Sequence, residues 1–161
     1  MTLLALAALA GDAQATEIGT SNMFGLGIQL GDPLGLTGKY YLGGRTNAID
    51  FTVGSHYYNN DYYYSNLALQ AAFHWHLVEL TSGGGVAIPF RIGVGGFLVF
   101  GDYYYNGRYD EFGFGARVPF GLDFDLESLP MQFYVELAFD LVLFPAPGPY
   151  VDGGVGFRYY F

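Results

Sequence analysis

The residues best suited to chemistry in this 161-residue chain are its three histidines. His74 and His76 stand two apart, the spacing that puts both imidazoles on one face of a β-strand. Two imidazoles on one face begin a divalent-metal site. The hairpin that follows brings Arg91 alongside them, and its fixed charge repels a dication, so hydrogen bonding is the expectation and no metal or cofactor is expected. His56 falls near the opposite end of the same pattern. A second constellation, Ser55, His56 and Ser65 with Asp61, has the types of a Ser/His/acid hydrolase. On an alternating strand Ser55 and His56 point to opposite faces and cannot share a proton, so no catalytic residue is assigned. With no Cys, thiolate ligands and disulfides are excluded.

The elements that position these side chains must suit an unusual composition. Charged residues make up 13% of the chain, and a soluble globule carries about a quarter. Hydrophobic residues reach 52%, with 25 Gly, 15 Tyr and 15 Phe. No apolar run approaches the roughly 20 residues of a membrane-spanning helix. An apolar, aromatic, Gly-rich chain without helical spans points to a closed β-barrel. The net charge of −9 repels phosphates and argues against nucleic acid.

Eight segments alternate with period two, apolar residues on one face and polar or small ones on the other. Phe24 to Leu30 alternate with Gly25, Gly27 and Gln29. Leu36, Tyr40 and Leu42 alternate with Thr37, Lys39 and Tyr41. Ile49, Phe51 and Val53 alternate with Ala48, Asp50, Thr52 and His56. A fourth segment spans Asn66 to Leu77 and sets Gln70, His74 and His76 on the polar face. A fifth, Ile88 to Gly95, carries Arg91 there, and a sixth, Phe112 to Phe124, carries Arg117 and Asp123. The seventh, Met131 to Leu143, carries Gln132, Glu136 and Asp140. The last, Val151 to Phe161, carries Asp152, Arg158 and Tyr160. The expected fold is all-β, an eight-stranded antiparallel up-and-down transmembrane barrel.

The first 15 residues read as a secretory signal without its basic n-region, Leu3 to Ala10 being apolar and Ala13-Gln14-Ala15 a cleavage site. The barrel domain is then 16–161. One set of turns (Gly43 to Arg45, Ser82 to Gly85, Glu127 to Pro130) shares its side with both chain ends and should be periplasmic. The other set (Asp32-Pro33, 57–64, 101–110, 145–149) should face outward. Two of its members form Tyr-rich extracellular loops, containing Tyr58, Asp61, Tyr62 and Tyr63 in one and Tyr104, Tyr105 and Arg108 in the other. Tyr gives large amphipathic contact at low entropic cost, suited to lipopolysaccharide, sugars or an unknown surface ligand. Next to the strands it also suits an aromatic girdle.

A lipocalin-like barrel or sandwich is the soluble alternative, but it needs a charged outer face. The polar face here is mostly Gly with one or two charges per strand, too few to solvate an exterior and enough for a narrow lumen. Those charges are nearly balanced: Lys39, Arg91, Arg117 and Arg158 against Asp50, Asp123, Glu136, Asp140 and Asp152. Centring the hairpins puts Lys39 opposite Asp50 and Glu136 opposite Arg158, with Arg117 diagonal to Glu136 and Asp140, and Arg91 diagonal to Asp123. Paired charges in so narrow a barrel predict a plugged lumen.

The stretches from Gly31 to Leu42 (GDPLGLTGKYYL), Asn47 to Asp50, Gly115 to Leu122, Phe133 to Glu136 and Gly154 to Phe161 (GVGFRYYF) resemble a family of uncharacterised small bacterial outer-membrane β-barrel proteins. The resemblance implies an exported, porin-like barrel of a Gram-negative envelope, with no reaction or cofactor. The ending is similar to the signal read by the barrel assembly machinery, with Gly156, Tyr159 and Phe161 in place and Gly154 departing from its polar position. Outer-membrane lipid, lipopolysaccharide and that machinery are the partners implied. The expected role is structural or surface-binding and non-enzymatic. A narrow pore for small solutes is the alternative, and a lipid-modifying outer-membrane enzyme a more distant one.

Overall fold

The alternation becomes eight antiparallel strands in the computed structural model, which describes residues 17–55, 63–105 and 108–161. They are β1 (Phe24–Gly31), β2 (Leu34–Tyr41), β3 (Asn47–Ser55), β4 (Tyr63–Gly83), β5 (Val86–Tyr105), β6 (Arg108–Leu126), β7 (Met131–Phe144) and β8 (Gly148–Tyr160). Each pairs with the next and β8 pairs back onto β1, so the barrel is closed. The predicted leader, 1–15, lies outside the described residues. Among the described residues no helix is long and apolar enough to cross a membrane.

Side-chain direction follows the pleat. Along β7, Phe133, Val135, Leu137 and Phe139 are 45% to 60% exposed, while Gln132, Tyr134, Glu136, Ala138 and Asp140 between them are buried. The same inversion holds around the wall: Ile28, Leu36, Val53, Val94, Val118 and Val151 face out, and Lys39, Asp50, Arg91, Arg117, Asp152 and Arg158 are buried inside. Glycine lets the last seam close. A Cβ on Gly27 would fall on the Phe157 carbonyl oxygen, so β1 and β8 approach only where that position has no side chain.

Strand lengths depart from expectation. β4, β5 and β6 have 21, 20 and 19 residues, against 8, 8 and 9 in β1, β2 and β3. The expected loop 101–110 is mostly ladder, with Tyr103 opposite Asp110, Tyr104 opposite Tyr109 and Tyr105 opposite Arg108. Tyr63 pairs with Tyr103. Tyr63, Tyr104, Tyr105 and Arg108 are therefore strand residues and not loop residues. Tyrosine is a strong β-former, and pairing satisfies backbone groups that a loop would leave to water. Tyr58, Asp61, Tyr62 and His56 lie outside the described residues.

Two registers show how turn chemistry sets the lumen. Lys39 lies opposite Asp50, as expected from the short turn 42–46. Glu136, however, lies opposite Gly154, and Arg158 opposite Gln132. The expected pairing of Glu136 with Arg158 is wrong because Gly148 and Pro149 belong to β8 and the hairpin centres on Pro145. β8 has no β1 partner beyond Gly154, so Pro149 is tolerated on a strand with one free edge.

Candidate functional site

Inward-facing residues of all eight strands meet in one network that runs along the lumen from the turn-side mouth upward. At that mouth Asp125 accepts from Gln132 Nε2 at 2.7 Å and from Arg45 Nη2, reaching in from the β2–β3 turn, at 3.1 Å. Gln132 Oε1 in turn accepts from Tyr160 Oη at 3.0 Å and Arg158 Nη1 at 3.3 Å. Arg158 also donates to Thr37 Oγ1 from Nε at 3.1 Å and Nη2 at 2.7 Å. Its guanidinium carbon lies 4.0 Å from the centre of the Tyr134 ring, a cation–π contact.

One step up, Lys39 Nζ donates to Asp123 Oδ2 at 2.5 Å and lies 2.9 Å from His76 Nε2. Asp123 Oδ1 accepts from Arg91 Nε at 2.9 Å. Arg91 is the hub of the middle layer. Its Nη1 lies 2.6 Å from Glu136 Oε2, 3.5 Å from Asp50 Oδ2 and 3.1 Å from His74 Nδ1. His74 Nε2 is 2.9 Å from Asp50 Oδ2. Above it, Arg117 Nη2 meets Glu136 Oε1 at 3.1 Å and Asp152 Oδ1 at 3.2 Å, while its Nη1 donates to Gln70 Oε1. Gln70 Nε2 donates to Asp152 Oδ2 at 3.0 Å, and Asp140 lies 3.8 Å from Arg117 Nε.

Burying an ion is costly unless an opposite charge lies close by. Here each of the four lumen cations has a carboxylate within 4 Å. Asp50, His74 and Glu136 also have potential ligand atoms within 4.8 Å of one another, the only such set among the described residues. The Arg91 guanidinium already contacts all three and brings a cation of its own, so a metal ion there would meet its repulsion. The threonines of the network, Thr37 and Thr52, bond to Arg158 and Gln29. Ser55 ends β3 half-buried, and Ser65 lies in β4.

The structure brings Arg91 to its expected diagonal partner Asp123 and Arg117 to its expected partner Glu136, but Asp140 lies directly opposite Arg117 rather than diagonal. Lys39 turns from its cross-strand neighbour Asp50 to Asp123. Arg158 turns to Thr37, Gln132 and, at 3.6 Å, Asp50. Sequence reasoning missed Asp125, although it shares the parity of Asp123 on β6. It missed Tyr134 for the same reason, having read the β7 lumen face by its ionic and amide residues alone. Phe97 and Val99 were also missed, because the alternation of β5 was read only as far as Gly95; both are buried, facing in.

The residues of the assembly-signal resemblance lie as alternation requires. Tyr159 and Phe161 face outward with ring centres 5.2 Å apart, and Gly156 leaves room for the Tyr134 ring inside. No protein-family model, curated protein or solved structure matches the chain.

Proposed function

We propose that the chain is an outer-membrane barrel of a Gram-negative envelope, with a lumen filled by its own charge network and a structural or surface-binding role. The observation that carries this is the inversion of the wall: apolar side chains cover the outside of every strand, and the buried ionic groups lie within. A soluble barrel would expose the opposite face to water. A bilayer makes the inversion favourable, because each exposed Leu, Val or Phe meets lipid tails and each charge is kept from them. Filling is favoured by the size of the barrel, since eight strands leave room for side chains and little more.

The tall β4–β6 wall supports a surface role. It rises beyond the last rungs of β3 and β7 on the side of the Tyr-rich segments, where lipopolysaccharide or another glycan would be met. The resemblance of the C-terminal strand to an assembly signal fits export to the same membrane.

The test is localisation. Expressed with its leader in a Gram-negative host, the protein should sediment with the outer-membrane fraction, resist alkaline carbonate extraction and migrate faster on gels unheated than boiled. Recovery in the soluble periplasmic fraction would overturn the reading.

A further inference from the structure

Arg117 faces more carboxylates than one cation can hold. Its Nη2 donates to Glu136 Oε1 at 3.1 Å and to Asp152 Oδ1 at 3.2 Å, and its Nη1 donates to Gln70. Asp140, directly across the ladder on β7, receives no hydrogen bond from it. The Asp140 side chain is fully buried, and among the described residues neither of its oxygens has a hydrogen-bond donor. Arg117 Nε stays 3.8 Å away. Closing that gap would satisfy one oxygen and leave the other without a donor. The other lumen carboxylates each accept from a cation: Asp50 and Glu136 from Arg91, Asp123 from Lys39, Asp152 from Arg117. Asp125 at the mouth is held by Arg45. The sixth basic residue, Arg108, lies nine residues up β6 from Arg117, roughly 30 Å along an extended strand. The buried histidines add no charge, because each sets a ring nitrogen against a cationic donor. His74 Nδ1 is 3.1 Å from Arg91 Nη1, and His76 Nε2 is 2.9 Å from Lys39 Nζ. Four lumen cations thus meet five carboxylates, and the surplus falls at Asp140. Beside it stands Asp152, the two carboxylates within hydrogen-bonding reach of each other. Two acceptors this close repel unless a positive charge lies between them.

We propose that Asp140 and Asp152 form a binding site for one monovalent cation, an alkali metal ion or a proton, at the end of the lumen opposite the turn-side mouth. A single positive charge brings the lumen to neutrality, whereas a dication would leave an excess beside the Arg117 guanidinium. The site differs from Asp50, His74 and Glu136, where Arg91 already reaches all three groups. The charged and titratable groups facing the pair are Arg117 on β6, Glu136 on β7 and Tyr150 on β8, with Asp32 of the β1–β2 turn beside Tyr150. From β4 comes the neutral Gln70, which donates to Asp152 Oδ2. All of these remain when Asp140 alone is changed, so the comparison isolates the pair. The site is complete within the lumen. It rests neither on the membrane that surrounds the barrel nor on whether the lumen conducts.

The test is the thermal midpoint of the purified, folded barrel in detergent, with Asp140→Asn measured beside the natural sequence. Asparagine keeps the shape, removes the surplus charge and offers Asp152 an N–H donor. In mildly alkaline buffer, with choline replacing sodium and potassium at constant ionic strength, the natural protein should lose a few degrees per tenfold withdrawal of cation. Recovery on adding sodium or potassium identifies an alkali ion. Recovery only on lowering the pH identifies a proton, whose stabilisation is present in acid and lost as pH rises. Asp140→Asn should melt no lower than the cation-loaded natural protein and respond to neither treatment. A natural protein indifferent to both cations would overturn the site. So would an equal response in Asp140→Asn, or failure of that variant to fold, since it carries the donor that the cation would otherwise replace.

Discussion

The Lys39 ammonium passes its cross-strand neighbour Asp50 and ends 2.5 Å from Asp123, joining β2 to β6 through the middle of the barrel. Asp123 then holds Arg91 at 2.9 Å, so one carboxylate serves two fully buried cations. Ties of this kind connect strands that never share a ladder. They brace the cross-section in a way that neighbouring hairpins cannot.

That arrangement predicts an asymmetry between partners. Asp123→Ala strands two buried cations and should cost about 3–5 kcal/mol, the range for breaking a buried pair from one side. Lys39→Met keeps the stem packing and leaves Asp123 with Arg91 and His76, so it should cost clearly less. Urea titration of the reconstituted protein, followed by the single tryptophan, Trp75, measures both. Equal losses would mean that the Asp123 contacts are not shared as described.

Glu136 is the corresponding bridge higher up, between Arg91 and Arg117 at 2.6 and 3.1 Å. Glu136→Ala should lower heat stability and raise ion leak through vesicles carrying the protein. Glu136→Gln keeps the volume and one acceptor and should leak less. An unchanged melting point and leak in the alanine variant would count against a lumen held by charge.

Legibility followed the physics of each feature. The faces of the strands were readable because period two is local: Phe133, Val135 and Leu137 announce their side without knowing their neighbours. Partners were less readable, because they depend on where a hairpin turns. The turn 42–46 is short and the Lys39–Asp50 register came out right. The Pro-rich turn after β7 admits several centres, and the one chosen displaced Arg158 from Gln132. Even a correct register does not choose a salt bridge in a narrow lumen, as Lys39 shows, since side chains reach across it as easily as along the sheet. The height of β5 and β6 had a signal that went unused. The pair Asn106-Gly107 between two Tyr-rich runs is a strong hairpin mark.

The seam between β1 and β8 makes a sharper prediction about glycine. Gly27→Ala would set a methyl group on the Phe157 carbonyl and should abolish the compact, heat-modifiable form. Gly148→Ala, with nothing within 4 Å of the added carbon, should fold normally. Normal closure of the Gly27 variant would show that the seam is looser than its geometry.

The outward face can be tested at its centre. Leu137 is 49% exposed midway along β7. If lipid covers it, Leu137→Arg should destabilise the protein in bilayers by about 2–4 kcal/mol, the midplane cost of an arginine. On a water-facing surface the same change would be near neutral. Unfolding titrations in lipid vesicles distinguish these outcomes.

The central claim is that a bilayer surrounds this barrel and its own ions fill it. Planar-bilayer recording tests it most directly, on protein whose insertion is verified by heat-modifiable migration and with Glu136→Ala recorded beside it. The account predicts no stepwise currents from the natural sequence and measurable leak from the variant. Discrete single-channel steps from the natural sequence would contradict it.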